Sequence, residues 1–218
     1  MKTAPTLDLG LYVVTDSGLS RGRTHEQIAA RAFEGGANVI QLRDKSKSTL
    51  ELYHTALRLQ EIASRAGALF IVNDRIEVAL AVEAHGLHVG QDDLPADVAR
   101  KLLGPKPVLG VSVENAEQAE QAERDGADYI AIGPIYEARG TKNDAGPPVG
   151  LRAIAELRYY TDLPIVAIGG IKPEHVGDVI RAGAGGIAVV SAVVAADDVV
   201  TAAAEIRGLV VEARGSRG

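Results

Sequence analysis

Charged and amide side chains gather at the ends of several short apolar runs, and their types suit the handling of phosphate. One run leads into QLRDK at residues 41–45. In an extended chain alternate side chains share a face, so Gln41, Arg43 and Lys45 would converge as two cations and an amide. That set suits a phosphorylated ligand; a solvated charged loop explains the segment equally well. Asn73-Asp74-Arg75 ends the next run, and Gln91-Asp92-Asp93 follows the one after. An Asn or Asp in either place would also cap a helix. Two carboxylate clusters on adjacent run ends, with no cysteine anywhere in the chain, favour Mg²⁺. That ion takes one or two carboxylates together with water and substrate phosphates. His88 lies inside its run and reads as a packed or supporting group. Ser112 ends a further run with no evident histidine partner at triad-like spacing, so hydrogen bonding outranks nucleophilic attack. Residues 137–146, EARGTKNDAG, form a ten-residue stretch long enough for a flexible cover, and Lys142 within it would add a third cation. Gly169-Gly170 and Val190-Ser191 end the last two runs. Residues this small let backbone amides approach a phosphate closely, although a tight turn also explains the glycines. Two carboxylate clusters, three cations and a glycine-rich cradle suit an enzyme handling two phosphorylated substrates. One of them would be a diphosphate bound through Mg²⁺.

The elements that must position these groups are legible in the punctuation. Eight short, nearly all-apolar runs occur at residues 11–15, 38–42, 69–72, 86–89, 108–112, 129–132, 165–168 and 186–190. Such runs are expected of parallel strands covered on both faces. Between them the apolar spacing predicts helices at 24–34, 49–65, 75–82, 95–103, 116–124, 151–159, 173–182 and 195–211. Thr24-His25-Glu26-Gln27 has the pattern of a capping box. EGGANVIQL, RDGADYIAI and RAGAGGIAV echo one another as helix-to-strand turns, each passing through a glycine. Strand–helix alternation eight times over predicts an α/β fold, a (β/α)₈ TIM barrel, as a single domain over 1–218. Residues 1–9 and 213–218 are expected to be flexible tails. A doubly wound dinucleotide-binding sheet is disfavoured, because TDSGLSRGRT after the first run does not match G-x-G-x-x-G. In such barrels the active site lies at the C-terminal strand ends, where the polar residues above fall.

Composition narrows the classes further. Of 218 residues 46% are hydrophobic but only 4% aromatic, so aliphatic side chains must fill most of the core. Lys and Arg number 23 against 29 Asp and Glu, a net charge of −6, which disfavours nucleic acid as a partner. The absence of cysteine excludes disulfides, thiolate metal sites and cysteine nucleophiles. The first ten residues hold no apolar run long enough for a signal peptide or membrane span. A cytoplasmic protein without membrane contact is therefore expected. The sequence leaves a homo-oligomer open.

The series LYVVTD, QLRDK, VNDR, HVGQDDLP, GVSV, GPIY followed by TK and DAG, AIGGI and GIAVVSAV resembles the thiamine-phosphate synthase family, in the same order and over nearly the whole chain. The resemblance implies a (β/α)₈ barrel. It also implies joining 4-amino-2-methyl-5-(diphosphooxymethyl)pyrimidine to a thiazole ethyl phosphate, with release of pyrophosphate. By the match, Gln41, Leu42, Arg43, Asp44, Lys45, Asn73, Ser112 and Lys142 would hold the pyrimidine diphosphate, with Arg43, Lys45, Lys142 and Ser112 nearest the chemistry. Asp74 and Asp93 would hold Mg²⁺. Arg139, Gly140, Thr141, Gly170, Val190 and Ser191 would hold the thiazole phosphate. One departure stands out: Arg139 replaces the first Thr of the family's usual Thr-x-Thr-Lys run, and the loop is one residue longer.

A related barrel, thiazole tautomerase, isomerises the thiazole phosphate without needing the metal–diphosphate set, which is intact in this sequence. A catalytically silent phosphate-binding barrel is the alternative from another class, and the Arg139 loop is its only support. A sugar-phosphate isomerase or aldolase would share the cradle after the last two strands but would rely on a base or a Schiff-base lysine.

Overall fold

The computed structural model describes residues 7–138 and 146–216. Eight parallel strands close into one barrel in sequence order: β1 (Leu11–Val14), β2 (Val39–Leu42), β3 (Leu69–Asn73), β4 (Gly86–Val89), β5 (Val108–Val113), β6 (Tyr129–Ile132), β7 (Ile165–Ile168) and β8 (Gly186–Val189). Pairing of Tyr12 with Ala188 joins β8 back to β1. The intervening helices are α1 (His25–Glu34), α2 (Thr49–Ala66), α3 (Ile76–Ala81), α4 (Ala96–Leu103), α5 (Ala116–Arg124), α6 (Gly150–Leu157) and α7 (Val176–Arg181), which a 3₁₀ turn precedes. After β8 come a four-residue helix, α8 (Ser191–Val194), and the long α9 (Val199–Gly215).

Local chemistry sets the boundaries. The expected capping box forms at α1: Thr24 Oγ1 accepts from the Gln27 amide at 3.2 Å, and the Gln27 side chain accepts from the Thr24 amide at 3.0 Å. Ser48 and Glu51 cap α2 in the same way. The chain end departs from expectation. The helix predicted from 195 starts only at Val199, where Asp198 caps it by accepting from the amides of Val200 and Thr201, and the separate four-residue α8 precedes it. Nor does order stop at 213. Helix α9 continues to Gly215, Ala213 is buried, and Arg214 pairs with Asp8 at 2.8 Å. Asp8 also accepts from the Asn38 side-chain amide, whose Oδ1 accepts from the Leu11 backbone amide. Among the described residues, Asp8 and Arg214 thus tie the two ends together, and Leu9 is buried beside them.

Alternation along each strand divides the apolar residues into two layers. Leu11, Val13, Ile40 and Val72 face the helices. Tyr12, Val14, Val39, Leu69, Ile71, Tyr129, Ala131, Val166 and Ala188 fill the barrel interior. Tyr12 and Tyr129 meet edge to face, with ring centroids 6.0 Å apart. Both are fully enclosed, so their hydroxyls must be paired inside the protein. Gln41 Nε2 donates to Tyr12 Oη at 2.7 Å, the two phenol oxygens lie 2.9 Å apart, and Tyr129 Oη lies 2.9 Å from His88 Nδ1. The other ring nitrogen, His88 Nε2, is 2.9 Å from Ser112 Oγ. One polar chain therefore crosses the interior from β2 to β5.

Two predictions follow from this filling. Gly110 sits opposite Tyr129 on the neighbouring strand, and a Cβ there would overlap the tyrosine ring. Gly110→Ala should cost about 2 kcal/mol of stability in urea unfolding, as overpacking does; an unchanged midpoint would contradict this approach. Burial also pushes the His88 imidazole down to about 4, against a small opposing effect from Asp93. The unfolded chain takes up that proton near pH 6.5 and the folded one only near 4, so stability is full above pH 6.5 and falls as the pH drops through this window. Between pH 7 and pH 5 the contribution is on the order of 2 kcal/mol. His88→Gln should lose that part of the pH dependence, and an identical pH profile in the variant would refute the assignment.

Candidate active site at the barrel mouth

The C-terminal ends of β2, β3 and β4 bring together most of the residues singled out by type. A cavity of about 290 Å³ opens there, with Leu42, Asp44, Lys45, Asn73, Asp74 and Asp93 in its wall. Asn73 is the last residue of β3 and shares the inward parity of Leu69 and Ile71. The chain then turns sharply: Asp74 has φ +61°, the left-handed region that Asp tolerates better than most residues. Its amide is held by the His88 carbonyl at 2.9 Å. Asp93 is set by the turn after β4, where one carboxylate oxygen accepts from the Gly90 amide at 2.8 Å.

These two carboxyl groups lie close enough to influence one another. Burial is the largest influence on Asp74 and the neighbouring Asp93 adds to it. Together they push its carboxyl up to about 7, while Lys45 and Arg43 pull the other way. Two carboxylates this close repel unless a proton or a cation lies between them. The pair is thus a hard-oxygen donor set, and it fits Mg²⁺ with the remaining positions left to water and phosphate oxygens. Among the described residues no group of three or more metal-binding side chains occurs, so a fuller protein cage is not built there. Arg43 and Lys45 make no ion pair among the described residues and face the acidic pair across the mouth. That is the disposition of cations awaiting an anion.

Other expected residues serve differently. The Asp44 carboxylate is taken up inside the protein: it lies 3.1 Å from His25 Nε2 and accepts from the Ser46 amide and hydroxyl at 3.0 and 2.6 Å. Burial opposes ionisation, but the hydrogen bonds from Ser46, His25 and Ser17 outweigh it and hold the carboxyl well below its usual range. Asp44 thus clasps the loop after β2 to the start of α1. Leu42 belongs to the apolar layer under the helices and gives the cavity an apolar wall. Gln41 is buried, its amide committed to Tyr12. Ser112 does have a histidine partner, contrary to its reading from spacing alone. His88 sits on the adjacent strand, 24 residues earlier in the chain. The far nitrogen of that histidine meets a tyrosine hydroxyl and no carboxylate, so the arrangement is not a nucleophilic triad.

At the opposite side of the mouth, Gly169 and Gly170 both have positive φ, +96° and +66°. A Cβ on Gly170 would come within 2.6 Å of the Glu137 carbonyl oxygen, so the close approach that demands glycine is made to the loop after β6. Tyr136 in that loop donates its amide to Gly169 and stacks on His175, ring centroids 3.9 Å apart. Val190 precedes α8, and the amides of Ser191 and Ala192 have no acceptor within the helix, whereas those of Val193 and Val194 bond the Val190 carbonyl. The short extra helix after the last strand is where barrels of this kind often seat phosphate. Arg139, Gly140, Thr141 and Lys142 lie outside the described residues. His88 lies where the sequence reading put it, inside its run as a supporting group, while Tyr12 and Tyr129, which it joins in the interior, carried no spacing signal. Only the inward parity of their strands marks them.

Among the described residues no helix is long and apolar enough to cross a membrane. A family model described as thiamine monophosphate synthase matches residues 11–193. The chain is 55% identical to the thiamine-phosphate synthase of Chloroflexus aurantiacus over 96% of both chains. It is 51% identical to that of Moorella thermoacetica, covering 94% of this chain and 97% of the relative. The solved structure of thiamine phosphate pyrophosphorylase from Pyrococcus furiosus superposes with a TM-score of 0.87 at 38% identity, over 94% of this chain and 97% of that one. The tautomerase and silent-barrel alternatives gain no support from these matches. A closed eight-stranded parallel barrel and similarity over nearly the full length place this chain in the thiamine monophosphate synthase family.

Proposed function

We propose that the chain couples 4-amino-2-methyl-5-(diphosphooxymethyl)pyrimidine to a thiazole ethyl phosphate, forming thiamine phosphate and releasing pyrophosphate with the help of Mg²⁺. The observation that carries the reading is the neighbouring pair Asp74–Asp93 with Arg43 and Lys45 close by, cations that form no ion pair among the described residues, in a chain whose full-length relatives bear the synthase name. Asp74 and Asp93 would hold the metal, which when bound supplies positive charge to the departing diphosphate. Arg43 and Lys45 draw the diphosphate to the mouth and stabilise the charge that grows on it. Ser112, near the end of β5, adds a neutral hydrogen bond, and Asn73 an amide. The bond from the pyrimidine methylene to the diphosphate oxygen breaks, and its electron pair leaves with the diphosphate. The electron-rich aminopyrimidine stabilises the resulting cation, and the thiazole nitrogen supplies the pair that forms the new carbon–nitrogen bond. No protein nucleophile is consumed and no general base is required, consistent with the absence of cysteine. Gly170, Val190 and Ser191 are the residues we assign to the thiazole phosphate. Arg139, Gly140 and Thr141 would complete that end, and Lys142 the diphosphate end.

The deciding assay is pyrophosphate release by the purified protein. It should require Mg²⁺ and both substrates together and match thiamine phosphate formation mole for mole. Release without thiamine phosphate, or a change of thiazole tautomer with no release, would refute the reading. Asp93→Ala should lower Mg²⁺-dependent turnover by about 100-fold or more, with the folded state retained by circular dichroism. Near-normal activity would remove Asp93 from the metal site. Arg43→Ala should raise KM for the pyrimidine diphosphate more than for the thiazole phosphate; equal weakening would contradict the division of the mouth into two ends.

A further inference from the structure

The polar chain across the barrel interior has a direction that can be worked out by counting hydrogens. Its inner members are enclosed: Tyr12 is 1% exposed, Tyr129 0%, Gln41 5% and His88 8%. Gln41 Nε2 donates to Tyr12 Oη at 2.7 Å. A phenol has one hydrogen, so Tyr12, already accepting, passes its own to Tyr129 Oη at 2.9 Å. Tyr129 in turn has one hydrogen to give, and His88 Nδ1 lies 2.9 Å away. With Nδ1 accepting, a neutral imidazole carries its hydrogen on Nε2 and donates it to Ser112 Oγ at 2.9 Å. Each phenol and imidazole hydrogen then meets an acceptor along the chain, and the hydrogen of its last member, the Ser112 hydroxyl, is left over.

We propose that this chain is a hydrogen-ordering relay, in which Tyr12, Tyr129 and His88 are positioning residues that commit Ser112 to donating its hydroxyl hydrogen into the mouth. The consequence is chemical as well as structural. Phosphate oxygens accept hydrogen bonds and do not give them at their fully ionised sites. A serine fixed as donor therefore complements such a ligand, whereas the reversed order would turn a lone pair toward it. Burial supports the same order by keeping the imidazole neutral through the ordinary pH range. The stacked contact of His88 with Tyr129, 5.6 Å between ring centroids, restrains the imidazole plane. A fixed tautomer set by the partner on the far nitrogen is the usual way a histidine's role is chosen. The relay deepens the synthase reading and rests on it only for the identity of the anion at Ser112.

The direct test is the tautomer of His88 in protein labelled with ¹⁵N-histidine, read from long-range ¹H–¹⁵N correlations at pH 7. The chain has five histidines, and the resonances that vanish in His88→Gln belong to His88. We expect a protonated Nε2 and a bare Nδ1. A protonated Nδ1, or a mixture of both forms, would overturn the relay. The functional test is a double-mutant cycle. Tyr129→Phe should lower kcat/KM about tenfold in the parent but less than about twofold in Ser112→Ala, because Tyr129 acts through that hydroxyl. Equal losses in both backgrounds would mean that Tyr129 only supports packing, and would also overturn the proposal. Should Tyr129→Phe fail to fold, the tautomer in the parent protein still decides. A parent protein with the expected tautomer but no turnover would sink the synthase reading alone, so the two failures are distinguishable.

Discussion

Closing eight parallel strands into a ring imposes one constraint from which most of this structure follows: every second side chain points into an enclosed space that must be filled. With few aromatics in the chain, two of them, Tyr12 and Tyr129, are placed at its centre. Their bulk requires Gly110 opposite, and their hydroxyls require partners that no solvent can provide. Gln41 and His88 supply those partners, and His88 reaches Ser112 at the upper rim. The packing of the interior and the polarity of the mouth are therefore one problem with one solution. That coupling ties the stability of the barrel to the geometry of the site.

Above that layer the balance is electrostatic. Asp74 is held in a left-handed turn by a strand-end hydrogen bond, close to a second carboxylate. Such an arrangement costs folding free energy and persists because the neighbouring strands fix it. Arg43 and Lys45 offset part of the repulsion without neutralising it by direct contact. The site is thus left unsatisfied in charge on both signs, as a site for a metal-bound polyanion would be. The loops around it are fastened from outside. Asp44 holds the β2 loop to His25. Arg23 reaches across to the carbonyls of Val194 and Ala196 and so joins the first loop to the last.

Much of this was legible in the sequence because the physics is local or periodic. Parallel strands buried on both faces must be short β-branched runs, and the runs at 38–42, 69–72 or 165–168 can be little else in this context. A capping box such as Thr24–Gln27 spans four residues and is visible in them. Contacts between strands are another matter. The approach of His88 to Ser112 depends on the register of β4 against β5, which pairs His88 with Gly110 and which spacing along the chain does not reveal. Asp44 lies between two cations, Arg43 and Lys45, at the barrel mouth. Only the position of His25, 19 residues earlier, turns its carboxylate away. The apolar stretch from Val189 to Val200 hid a break, since Asp197 and Asp198 look alike until one of them is seen to cap α9.

The central claim is that Asp74 and Asp93 hold a divalent cation against a diphosphate drawn in by Arg43 and Lys45. The most direct measurement is a crystal structure with Mn²⁺ in place of Mg²⁺ and pyrophosphate, with the metal located by its anomalous scattering. The claim requires an anomalous peak within coordination distance of both carboxylates and of diphosphate oxygens, with Arg43 and Lys45 on the remaining oxygens. A metal bound elsewhere, or a diphosphate seated in the mouth while the two carboxylates share no ion, would contradict it.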